Sequence, residues 1–144
     1  MPAVLALACL GNSGARADDG PASVYSLVTA GVLDVKEVGP PPCSPDLICI
    51  DWIYRFRIAA ETRAGRTVPS VLTIELEVHE PPPKGVHLLL LVRQGRGRGR
   101  WIGRVVGAQR PGEEICVDSA LLDEASLTAP RGAHRKQGRL CFVM

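Results

Sequence analysis

LICIDWIYRFRIA, residues Leu47 to Ala59, is the stretch that decides the fold class. Taken two by two, Ile50, Trp52, Tyr54, Phe56 and Ile58 fall on one side. Asp51, Ile53, Arg55 and Arg57 fall on the other. Period-two alternation with aromatic and β-branched residues predicts a strand with one buried face. The chain has two Trp, two Tyr and two Phe, and three of these line this face, which makes it the predicted centre of the core.

Working outward, Val71 to His79 alternates in the same way. Leu72, Ile74, Leu76 and Val78 point to one side, and Thr73, Glu75, Glu77 and His79 to the other. An antiparallel pairing of the two strands places Phe56 opposite Ile74 and Arg55 opposite Glu75. Opposite charges across a ladder contribute about 0.2–1 kcal/mol each, and they guard register, because a one-residue slip would bury them. Upstream, Val24 to Val38 predicts a long first strand in which Gly31 marks a bulge or bend. Gly39 to Pro45 holds four prolines and is a rigid connector. Glu61 to Pro69 is expected to be a polar loop.

Downstream, Glu80 to Lys84 is a proline break. Val86 to Arg93 is apolar on both parities and predicts a strand buried on both faces. Gln94 to Arg100 is a Gly/Arg turn, Trp101 to Val106 its return strand, and Gly107 to Glu114 a loop. Ile115 to Val117 is a short strand. Asp118 or Ser119 can cap a short helix through Ala125, with Leu121, Leu122 and Ala125 on its inner side. Ala129 to Gly138 reads as basic loop, and Arg139 to Met144 as a last strand.

The chain is 144 residues long, 46% hydrophobic and 22% charged, which fits one ordinary globular domain. The first 17 residues read as a secretory signal peptide: an apolar run from Ala3 to Leu10, then Ala15-Arg16-Ala17 as a small-residue cleavage site. No basic residue precedes the run, so a buried N-terminal element is the competing reading, and lipidation at Cys9 a further one. Residues 18–144 then form a single domain with Cys43, Cys49, Cys116 and Cys141. An even count in an oxidising compartment implies two disulfides, with three possible connectivities. Cys43–Cys49 closes a tight loop, and Cys116–Cys141 ties down the C-terminal segment; these pairings are favoured. A four-Cys zinc site is the alternative, but no C-x-x-C knuckle is present. No apolar run reaches transmembrane length.

Five or six sequential strands, a bent first strand and one short helix after them predict a mainly β fold, a small closed barrel. A β-sandwich is the rival. The layout resembles an oligonucleotide/oligosaccharide-binding (OB) barrel, and more narrowly the netrin-like barrel of the tissue inhibitors of metalloproteinases, over about residues 24 to 125. The resemblance rests on strand order, Gly31, the Cys43-to-Cys49 region before the second strand, and the helix after the barrel. Those inhibitors act through an N-terminal cysteine; the predicted mature N-terminus here is Asp18, so that mechanism does not transfer.

Net charge is +2, but the charge is segregated. Lys84, Arg93, Arg96, Arg98, Arg100, Arg104 and Arg110 occupy a span from Pro81 to Gly112 that holds no acid. Arg96, Arg98 and Arg100 alternate with glycine beside Trp101. With Arg104, these residues form the expected binding site for an anionic ligand such as phosphate, sulfate or acidic polysaccharide. A soluble, charged turn is the simpler reading of the same residues, and core packing the simpler one of Trp101. Arg131, His134, Arg135, Lys136 and Arg139 would extend the patch if the fold joined them to it. Glu75, Glu77, His79, Glu80 and His87 match no established metal spacing, and fit a solvated strand face paired with Arg55 and Arg57.

Catalytic signatures such as G-x-S-x-G, H-E-x-x-H or a phosphate loop are absent. The expectation is therefore a non-enzymatic, monomeric exported module without cofactor or metal. Its expected partner is an anionic envelope ligand, with nucleic acid disfavoured. An inhibitor-like or structural envelope protein acting through the Cys43–Cys49 loop is second, and a metal-dependent hydrolase third.

Overall fold

A computed structural model describes residues 24–144. The segment expected to be a signal peptide, with Cys9, lies outside the described residues. Five strands close into a barrel: β1 (Tyr25–Gly39), β2 (Trp52–Gly65), β3 (Val71–Val78), β4 (His87–Gln94) and β5 (Trp101–Gln109). Their order is β1-β2-β3-β5-β4, with β4 returning to β1. All neighbours are antiparallel except β3 and β5, which run parallel. The fold is thus a closed barrel rather than a sandwich, consistent with an OB-like small barrel. A three-stranded sheet, β6 (Glu114–Asp118), β8 (Arg139–Val143) and β7 (His134–Lys136) in that order, stands beside it with the one helix among the described residues, α1 (Ser119–Glu124).

The LLLLV run of β4 explains why two layers are needed. Leu88, Leu90 and Val92 point into the barrel, with Phe56, Ile58, Ile74 and Leu76. Leu89 and Leu91 point outward, where Leu27, Ile115, Val117, Leu122, Leu140 and Phe142 cover them. A strand with apolar side chains on both faces cannot face water, so the second sheet and α1 form an outer core over the barrel wall. Asp118 starts α1 by accepting a hydrogen bond from the Ala120 amide at 3.0 Å. Arg63 locks the layers together: it donates to the Val143 carbonyl at 2.6 Å and lies over the Phe142 ring at 5.5 Å.

β1 serves two neighbours. Its first half, Tyr25 to Ala30, pairs with β4, while the strand as a whole pairs with β2. Gly31 sits where β1 leaves β4. A side chain there would press on the His87 ring, whose Nε2 would lie 3.2 Å from an added Cβ. Gly31 itself stays in register with Ala59, and of the three shifts in the ladder the nearest comes between Val32 and Asp34. The glycine therefore gives clearance, and the irregularity expected at it is displaced along the strand.

The register between β2 and β3 is the expected one: Phe56 faces Ile74, and Arg55 faces Glu75. The ends of β2 are not as expected. The strand begins at Trp52, and Ile50 is 67% exposed rather than in the core. β3 ends at Val78 and is soon followed by Pro81–Pro83, so no partner ladder extends to the residues before Trp52. At its other end β2 runs through the expected polar loop to Gly65, because Ser26, Leu27 and Val28 of β1 offer it partners. β5 likewise continues to Gln109 along β4, and His134–Lys136 pairs with β8 instead of forming loop.

Gly103 shows how tightly the barrel wall is closed. A Cβ there would lie 2.8 Å from Ile74 Cδ1 and 3.0 Å from the Leu91 carbonyl oxygen. Because one obstacle is backbone, Gly103→Val is expected to lower stability by about 1–3 kcal/mol, read as a reduced urea midpoint.

Candidate binding groove beside the arginine hairpin

β3 and β5 share only two rungs, Ile74 with Trp101 and Glu75 with Ile102. Beyond them the strands separate. The outer face at this seam holds a groove of about 660 Å³ across β2, β3 and β5. Ile53, Thr73 and Ile102 supply its uncharged floor, Arg55, Glu75 and Glu77 one charged side, and Gly99–Arg100 the rim beside the β4–β5 hairpin.

The hairpin is tight. Gly95 donates to the Arg100 carbonyl at 2.8 Å, and Gln94 faces Trp101 as its last rung. Gly97 and Gly99 have φ of +99° and +72°, a region that side-chain-bearing residues rarely adopt. The arginines alternate with them, so Arg96, Arg98 and Arg100 are all exposed at the tip. Among the described residues none of the three has an acidic partner. Arg100 joins the groove, whereas Arg96 and Arg98 crown the tip outside its lining.

Trp101 is half-buried and packs against the inner core, so its position at the groove is that of a wall element. Arg104 is exposed opposite Leu91 and does not line the groove. Within the groove, Arg55 places Nη2 at 2.7 Å and Nε at 3.2 Å from Glu75 Oε1. That pair is internally neutralised. Glu77 remains at the end opposite Ile53, two residues further along β3 than Glu75, so the positive end of the groove is the hairpin end.

The other charged clusters are used differently. His79 Nδ1 meets the Ile50 carbonyl oxygen at 3.0 Å, and the ring of His87 packs at Gly31. The C-terminal basic residues do not line the groove. His134 Nε2 and Lys136 Nζ instead approach the Glu114 carboxylate at 3.3 and 3.7 Å. Both favoured disulfides form: Cys43–Cys49 in the β1–β2 loop, and Cys116–Cys141 between directly opposed residues of β6 and β8.

Two features are not visible in the sequence. The groove depends on where two strands diverge whose paired residues, such as Ile74 and Trp101, are far apart in sequence, which no local pattern encodes. The β1–β2 loop exposes Leu47 (69%), Ile48 (92%) and Ile50, although the alternation places Ile50 in the core. Among the described residues no helix is long and apolar enough to cross a membrane. No family model, curated protein or solved structure matches the chain.

The Arg55–Glu75 pair is nearly half exposed on both sides. A double-mutant cycle with Arg55→Ala and Glu75→Ala is expected to give a coupling of only about 0.2–1 kcal/mol, with the barrel intact by circular dichroism.

Proposed function

We propose that the chain is an exported, non-enzymatic binding module of OB type that holds an anionic envelope ligand at the β4–β5 hairpin and the adjoining groove. The observation that carries this reading is the trio Arg96, Arg98 and Arg100, without acidic partners and held at the end of a tight turn beside a groove. Guanidinium groups offer planar, multiply donating contacts to sulfate, phosphate or carboxylate. The β2–β3 face and the β4–β5 loop are also where OB barrels hold oligosaccharides and oligonucleotides, which supports reading hairpin and groove as one site. Two disulfides in a 144-residue chain suit an oxidising compartment, which supports export. The kinship to netrin-like barrels belongs to the same proposal.

A second reading has its own observation. Leu47 and Ile48 project from the loop closed by Cys43–Cys49, Ile50 is exposed directly after it, and Val38 before it is 47% exposed. Apolar side chains held out on a cross-linked loop suit insertion into a cleft on a protein partner, as an inhibitor-like or structural envelope protein would do.

The two readings separate in one experiment. Retention on an immobilised sulfated polysaccharide is measured across a salt gradient. Arg96→Ser/Arg98→Ser/Arg100→Ser is expected to lower affinity about tenfold or more at low salt, a loss of about 1.4 kcal/mol or more, and to flatten the salt dependence. Unchanged retention removes the hairpin from the function. Leu47→Ser/Ile48→Ser/Ile50→Ser is expected to leave this retention intact. Under the second reading it instead abolishes cross-linking to an envelope protein, and the arginine changes do not.

A further inference from the structure

The second sheet gathers four metal-ligating side chains on one face. Cys116, Cys141 and His134 form a single cross-strand row over β6, β8 and β7. Glu114, two residues before Cys116, shares its face of β6. Its Oε2 is 3.3 Å from His134 Nε2, and its Oε1 is 3.8 Å from Cys116 Sγ. Glu114, His134 and Cys141 each bring one donor atom to within 4.8 Å of the others. A tetrahedral zinc-like site with bonds of about 2.0–2.3 Å needs donors roughly 3.3–3.8 Å apart. The Glu114–His134 and Glu114–Cys116 separations already have that spacing, and the wider ones, up to 4.8 Å, have to close onto a cation.

We propose that reduction of Cys116–Cys141 converts this face into a site for a thiophilic divalent cation of the zinc class, ligated by the two cysteines, His134 and Glu114. The disulfide sulfurs carry no thiolate charge, so the oxidised sheet offers only the Glu114–His134 pair. A dithiol supplies the two electrons. One of its sulfurs attacks Cys116 Sγ, the half-exposed partner, forming a mixed disulfide and releasing the buried Cys141 sulfur. Its second sulfur then displaces Cys116, and the dithiol leaves as a disulfide. Cys116 and Cys141 each gain a proton. Cation binding expels both protons to solvent and leaves two thiolates, an imidazole and a carboxylate as ligands. Lys136 Nζ, 3.7 Å from Glu114 Oε1, is the positive charge that the cation displaces. The sheet is then tied between β6 and β8 in either state, by a covalent link or by a metal clip.

The test uses the full chain with Cys9→Ser/Cys43→Ser/Cys49→Ser, so that only two sulfurs of cysteine remain. It is reduced with a phosphine without oxygen and titrated with divalent cobalt. One equivalent is expected to bind, with thiolate-to-cobalt charge transfer and tetrahedral ligand-field bands. The oxidised sample is expected to show neither. His134→Ala is expected to weaken binding about tenfold or more. Cobalt binding by the oxidised protein overturns the proposal, as does none by the reduced one. Equal affinity in a His134→Ala/Glu114→Gln variant overturns it too, because the thiols alone would then account for binding. If far-ultraviolet circular dichroism shows that reduction unfolds the chain and the metal fails to restore it, the site does not exist.

Discussion

The double-sided burial of β1 and β4 is the constraint from which the rest of the molecule follows. Residues Ser26 to Ala30 and Leu88 to Val92 are all buried. A barrel alone can hide only the inward half of such strands. The outward half, Leu27, Leu89 and Leu91, must be covered by something else, and β6, β8 and α1 do this. At about 25 cal/mol per Å² of apolar surface, leaving that wall in water would cost more than a small domain's net stability can spare. Where residues 53–55 of β2, 73–77 of β3 and 101–103 of β5 line the groove, the outer face is free of this demand. It keeps charged and half-exposed side chains, and it is there that the groove lies.

Much of this is legible in the sequence because the relevant signals are local. The alternation of residues 52–58 and 71–78 excludes every odd-residue slip, since charge sits on one parity and apolar bulk on the other, and the pairing of Arg55 with Glu75 is the alignment that forms. The unbroken apolar run of β4 announces burial on both faces, and Asp118 announces the start of α1. Of the three connectivities the sequence leaves open, the favoured one forms, Cys43–Cys49 closing a short loop and Cys116–Cys141 holding the last strand. What escapes is set by partners distant in sequence. Ile50 has the right parity for the core but no neighbouring strand to receive it. Residues 61–65 look like loop and become strand because β1 needs a ladder partner. His134–Lys136 looks like a solvated basic run and becomes the edge of a sheet through β8.

The candidate site is legible in part for the same reason. The Arg-Gly alternation at 95–100 marks an exposed turn from sequence alone, and the arginines are exposed. Which surface they serve is not readable there, because the groove exists only where β3 and β5 part after two rungs. Trp101 has two competing roles in the sequence. Its packing on the inner core makes it a fixed wall rather than a free aromatic surface, while Arg104 lies away from the groove.

The outer core also joins the two ends of the described chain: Leu27 near its start packs in the same cluster as Phe142 near its finish. Cover for the outward side chains of β1 therefore comes from β6, α1 and β8, at the opposite end of the described chain. Closing that cluster depends on contacts distant in sequence, the kind whose loop-closure entropy slows folding.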